Sequence, residues 1–205
     1  MVKKKRKQKT TKYISPEGNR ENVFYNFLRD IYKPKKNKIN ITVSDIRGGS
    51  SDTILLQSIK MKNNYDISIA WFDEDDKLSE EIRENLEQAW GCKLDETVKD
   101  IDLQETCNTD NRNPILIASN PVAFDGMLIK ILGKKLPDLN CGLKEQKTRV
   151  KSAISGIIGK GRFDEEAEMK YYQKYLTKEI LEQKAKEIYE LELLLRIFGK
   201  NSKLK

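Results

Sequence analysis

Apolar residues fall into two rhythms along this chain. Val23, Phe24, Phe27, Leu28 and Ile31 recur at the 3.6-residue period and predict a helix over about 20–32. Asn19 is placed to cap that helix, and Pro34 to stop it. Ile39, Ile41 and Val43 alternate instead, as do Ile67, Ile69 and Trp71, which predicts strands over 39–44 and 66–72. A short strand, Tyr13-Ile14-Ser15, precedes the first helix, and Ile115 to Ala118 forms another after Pro114. Helices are expected over about 52–62, where Ile54, Leu55 and Ile59 share a face, and over about 122–133, where Phe124, Met127, Leu128, Ile131 and Leu132 do. A polar helix over about 78–89 leads into a loop of low periodicity over about 91–113.

Strands that alternate with helices imply right-handed crossovers and a parallel sheet flanked by helices, an α/β fold. The expected α/β domain covers 13–135, with a helical C-terminal region over 136–205. There Val150, Ala153, Ile154, Ile157 and Ile158 mark one helix, and Asp164 is placed to cap one long helix over about 165–198. Ligands of parallel sheets gather outside the carboxyl ends of the strands. Three polar clusters stand there: Pro16-Glu17-Gly18, Asp73-Glu74-Asp75-Asp76 and Ser119-Asn120-Pro121.

Composition narrows the chemistry. The chain has 205 residues, no histidine and 3 cysteines (Cys92, Cys107 and Cys141) without a C-x-x-C pair. That removes Ser-His-Asp and Cys-His triads, histidine-held metals and a zinc-ribbon pattern. It also argues against a disulfide framework. With no apolar run of membrane-spanning length and no apolar leader, a cytoplasmic location is expected. The net charge of +7 comes from residues 1–12, which hold seven basic residues and no acid and read as a disordered arm. The rest is neutral, 32 basic residues against 32 acidic. Within it, residues 73–110 hold 14 acids against 4 bases, and 130–162 hold 9 bases against 2 acids.

Glu17, Asp73, Asp75 and Asp76 carry the chemistry if the first and third strands are neighbours. Carboxylates brought to one sheet edge repel unless a cation joins them. Mg²⁺ or Mn²⁺, which take oxygen ligands, suit such a cluster and need no histidine. A solvated acidic turn after a strand has the same sequence, so that reading stands beside the metal site. Lys144, Lys147, Arg149 and Lys151 offer a basic helix face for a nucleic-acid backbone, or simply a solvated face. Arg47-Gly48-Gly49-Ser50-Ser51 opens a helix without being a Walker A loop, and turn and capping duty explains it. Trp71, Tyr171, Tyr172 and Tyr175 read as packing residues rather than stacking platforms.

Three blocks of this chain are together similar to a known family. Ile14-Ser15-Pro16-Glu17-Gly18 with Glu21, Phe24 and Tyr25, then Ile69 to Asp76, then Ile117-Ala118-Ser119-Asn120-Pro121 with Phe124 and Asp125, resemble in order the motifs of the Toprim-like RloB family. Asp125 stands where that family usually has Glu, with one extra residue after Pro121, and the family's usual histidine is missing. The resemblance implies a Toprim-like parallel sheet. It also implies a Mg²⁺ site in which Glu17 serves acid–base chemistry or metal, and Asp73 and Asp75 hold the ion with Asp76 in support. Glu21 and Asn120 would belong to the same surroundings. Such proteins are encoded beside an ABC-type ATPase in bacterial anti-phage loci, and related effectors are nucleases, some acting on transfer RNA. The expectation is a metal-dependent nuclease of RNA or DNA controlled by an ATPase partner. The alternative is a non-catalytic subunit that binds nucleic acid or the ATPase and keeps a vestigial site.

Overall fold

The structure, a computed structural model, describes residues 10–33, 39–44, 50–61, 63–73, 80, 81, 84, 87, 88, 115–120, 123–159 and 163–199. Within these, four parallel strands form one sheet: β1 (Thr10–Ser15), β2 (Ile39–Val43), β3 (Ile67–Asp73) and β4 (Ile115–Asn120), in the order β2-β1-β3-β4. Seven helices accompany them among the described residues: α1 (Asn19–Tyr32), α2 (Ser51–Met61), α3 (Phe124–Ile131), α4 (Leu143–Ile158), α5 (Glu165–Tyr175), α6 (Lys178–Lys184) and α7 (Tyr189–Phe198). The α/β class with a parallel sheet flanked by helices is therefore as expected. Residues 80, 81, 84, 87 and 88 are helical, inside the polar helix expected over 78–89.

The path from β1 through α1 to β2 runs one way along the sheet. The path from β2 through α2 to β3 runs back past β1. Right-handed crossovers then put α1 and α2 on opposite faces. The side chains agree, because strand residues alternate between faces. Ile14, Ile39, Ile41, Val43, Ile69 and Trp71 join the main core with Phe24, Tyr25, Phe27 and Leu28 of α1. On the other face α2 packs on β1 and β3, where Ile54, Leu55 and Ala70 are buried and Tyr13 meets Tyr65 with ring centroids 5.3 Å apart. The direction changes between β1 and β3, so the cleft-forming switch point of the sheet lies there.

The C-terminal region closes the main core. Leu191, Leu194, Leu195, Ile197 and Phe198 of α7 are fully buried, and α7 packs against α1 and α6. Three elements differ from the sequence expectation. Gly18, not Asn19, is the N-cap of α1, and Lys33 ends that helix in the left-handed region at φ 45°. The long helix over 165–198 is three helices, broken where Thr177 caps α6 by accepting from the Ile180 N–H, and again after Ala185. The strand expected at Tyr13 begins at Thr10, so Lys12 is not part of a solvated arm. It is 3% exposed, and its ammonium donates to the Ile197 carbonyl at 2.9 Å. Desolvation lowers the Lys12 pKa to about 8. The other basic residues of the expected arm lie outside the described residues. No helix among the described residues is long and apolar enough to cross a membrane.

Candidate functional site

Parallel register brings two of the sequence-predicted acids together. Ser15 of β1 pairs with Ala70 of β3, so the bend after β1 lies level with the end of β3. Glu17 occupies that bend and Asp73 is the last residue of β3. The Asp73 backbone N–H donates to Glu17 Oε2 at 2.7 Å. Asp73 Oδ1 in turn accepts from the Phe124 N–H, at the start of α3, at 2.9 Å. Those two bonds tie the ends of β1 and β3 to α3.

Glu21 joins them from the first turn of α1. It is 7% exposed, and its carboxylate lies against Gly18. A Cβ at position 18 would fall 2.5 Å from Glu21 Oε2. Gly18 has an extended backbone, so what a side chain there would disturb is the Glu21 carboxylate, which would have to move aside, and not the backbone conformation. Burial, then the negative charge of Asp73, raises the Glu21 pKa to about 8, with Asp125 and Glu17 adding to the rise. The same surroundings, desolvation first, push the Tyr25 phenol well above its ordinary value. The Tyr25 hydroxyl is buried without a hydrogen-bond partner among the described residues.

A second set of charges forms the opposite wall. Arg20 of α1 bonds Asp125 of α3 through Nη1 at 2.8 Å and Glu168 of α5 through Nε at 2.9 Å. Glu168 is buried and also accepts from the Tyr172 hydroxyl at 2.8 Å. This network crosses three helices, and only Asp125 among its members stands in a motif that the sequence reading singled out. Charge alone gave no signal for it, because its members lie 105 and 148 residues apart from Arg20.

Between the walls is an open cleft of about 490 Å³, lined by Glu17, Glu21, Asp73 and Asp125 on the acidic side and by Arg20, Lys151, Ser155 and Phe163 among the rest. The basic helix face divides on α4. Lys147 Nζ lies 3.3 Å from Asp73 Oδ2, and Lys151 lines the cleft one turn on. Lys144 is exposed elsewhere, beside Thr148. Arg149 turns to Glu145, at 2.6 Å, and to the Asp138 carbonyl, at 2.8 Å. Two of the four basic residues thus reach the site.

Asp75 and Asp76 lie outside the described residues. The Asn120 backbone pairs with Asp73 across β3 and β4, while its side chain also lies outside the described part. Among the described residues no three acids form a ready-made metal-holding group. Ser50 caps α2, its Oγ accepting from the Thr53 N–H at 3.4 Å; residues 45–49 of that loop lie outside the described residues. Trp71 and Tyr172 are fully buried in the core. Cys141 is a free thiol, and Cys92 and Cys107 lie outside the described residues.

Comparison of this chain with protein-family models, with curated proteins and with solved structures finds no match.

Proposed function

We propose that the cleft is a metal-assisted phosphodiesterase site acting on nucleic acid. The observation that carries this reading is the placing of Glu17 and Asp73 side by side where the sheet changes direction, with the Glu17 carboxylate accepting from the Asp73 backbone N–H at 2.7 Å. The resemblance to Toprim-like proteins gives the same two residues the same task. The donor set fits Mg²⁺ or Mn²⁺, because it consists of carboxylate oxygens. Its electrostatics fit as well. Glu21 is driven toward its neutral form first by burial and then by three neighbouring acids, and a divalent cation relieves the second of these.

Glu17 and Asp73 would hold the ion; Asp75, which the resemblance adds to them, lies outside the described residues. A divalent cation bound there supplies Lewis-acid polarisation of a phosphoryl oxygen and a water of lowered pKa. The chain's own residues do the rest. Asp73 is oriented by the Phe124 N–H, and Glu17 by the Asp73 N–H. Lys147 and Lys151 supply positive charge for a phosphate on the α4 side of the cleft. Glu21 holds a proton at neutral pH until a cation lowers its pKa. In the setting that the resemblance implies, this activity serves anti-phage defence under the control of an ABC-type ATPase.

One observation favours a second reading, a binding subunit with a vestigial site. Lys147 already provides Asp73 with a positive partner. The decisive experiment incubates labelled total RNA and plasmid DNA with the chain in Mg²⁺, in Mn²⁺ and in EDTA, alone and with the neighbouring ATPase. Glu17→Ala and Asp73→Asn serve as controls, with folding checked by circular dichroism. Cleavage that needs metal and disappears in both folded variants is the expected result. Nucleic-acid binding without cleavage under every condition would establish the binding subunit instead.

A further inference from the structure

Phe163 is an aromatic residue left in the open, at the edge of this cleft. It is 37% exposed, although the core of this chain takes in the other phenylalanines at the site, Phe24 and Phe124, completely or nearly so. Asp164, the next residue, caps α5 by accepting from the Ala167 N–H at 3.0 Å. The ring packs over the Arg20 guanidinium, whose carbon is 5.9 Å from the ring centroid. Arg20 is itself fixed by Asp125 and Glu168. An exposed ring held on a clamped guanidinium loses little freedom when a flat ligand stacks on it.

The rest of the cleft indicates which flat ligand. Its volume of about 490 Å³ lies within the range of pockets that take small-molecule-sized groups. Lys151 and Ser155, one turn apart on α4, line it together with Phe163; the Ser155 hydroxyl donates to the Lys151 carbonyl at 2.8 Å, and the Lys151 ammonium is on offer to a phosphate. An aromatic ring and a cation beside the carboxylates suit a nucleotide with its base on the ring and its phosphate toward α4. In a duplex both faces of each base are covered by stacking, so a side-chain ring reaches a base only when it is unpaired.

We infer that Phe163 is a base-stacking platform and that the cleft takes single-stranded nucleic acid. This rests on the proposed phosphodiesterase reading and names its substrate class. It adds a specificity-determining residue that the motifs do not contain.

The test is fluorescence anisotropy with the full chain and four labelled probes: a single-stranded RNA, a single-stranded DNA, and the duplex of each. Titrations run in EDTA and again in Ca²⁺, at about 0.2 M salt to weaken sequence-independent attraction by the basic N-terminus. Single strands should bind at least tenfold tighter than duplexes. Phe163→Ala should weaken single-strand binding about tenfold, the effect expected for one stacked base, and Phe163→Trp should restore it. The RNA and DNA arms identify the sugar. If Phe163→Ala binds like the parent, the stacking role is wrong while the phosphodiesterase reading stands. Duplexes that bind as tightly as single strands would overturn the substrate class. If none of the four probes binds, the proposed function itself fails.

Discussion

Replacing Glu21 by glutamine should remove most of the pH sensitivity of folding between mild acid and mild base. The carboxyl titrates near its ordinary value of 4.5 when unfolded and at about 8 when folded. Between those limits the folded chain holds one more proton than the unfolded chain, so stability falls as pH rises. The contribution is fully present below pH 4.5 and is lost by about pH 8. Linkage sets the slope at about 1.4 kcal/mol per pH unit and the total at about 5 kcal/mol. An amide of the same shape carries no charge at any of these pH values. Glu21→Gln should therefore match the parent near pH 4 and exceed it by about 4–5 kcal/mol near pH 9. Urea denaturation followed by circular dichroism, at intervals from pH 5 to pH 9 in EDTA, measures both curves. Titrating groups far from Glu21 act equally in both proteins, so the difference reports Glu21 together with its coupling to Asp73, Asp125 and Glu17. Parallel curves would refute the argument that burial and three neighbouring acids hold this carboxyl neutral. Saturating Mn²⁺ should flatten the parent's slope, because a cation at Glu17 and Asp73 opposes the same repulsion.

Lys12 has the opposite sign: its folded pKa is lowered to about 8 from 10.5, so its contribution to stability is present above 10.5 and lost as pH falls to 8. The parent should thus gain about 3 kcal/mol relative to Lys12→Met between those pH values, read from paired urea titrations. Lys147→Met should tighten Mn²⁺ binding, measured by calorimetry, about tenfold. Removing one positive charge about 5 Å from a doubly charged ion is worth about 1.7 kcal/mol at the dielectric constant of water, about 80. Unchanged affinity would mean that Lys147 and the ion do not share Asp73. Glu168→Ala leaves Arg20 short of a partner and the Tyr172 hydroxyl without its acceptor, and should cost about 3–5 kcal/mol by urea denaturation. A loss under 1 kcal/mol would show that the three-helix network is not a stabilising unit. Leu194→Ala, in the fully buried face of α7, should cost about 2–5 kcal/mol in the same assay, and a loss near zero would contradict its place in the core.

The periodicity of α1 was legible because its apolar residues share one face, and the alternation of Ile67, Ile69 and Trp71 because the small residues Ser68 and Ala70 occupy the other buried face of β3. So were the two acids that the sheet brings together, since each follows an apolar strand. What local pattern could not supply was long-range pairing. Lys12 reads as part of a basic run, and only its bond to a carbonyl 185 residues away makes it a strand residue. Thr177 was a legible capping signal inside the long C-terminal periodicity. The second break, at Ala185-Lys186-Glu187, has good helix formers throughout, and the break follows from the burial of α7 rather than from propensity. Phe163 and the Arg20 network left no trace in spacing, because their neighbours come from α1, α3 and α5.

The bond from Lys12 to Ile197 also sets an order of events during synthesis. A ribosome adding about 5–20 residues each second needs roughly 10–40 s to travel from one partner to the other. Throughout that interval the α1 side of the sheet, with Phe24, Tyr25 and Phe27, lacks the helix that covers it. Glu168 emerges late as well, so the wall that clamps Arg20 is among the last parts to assemble.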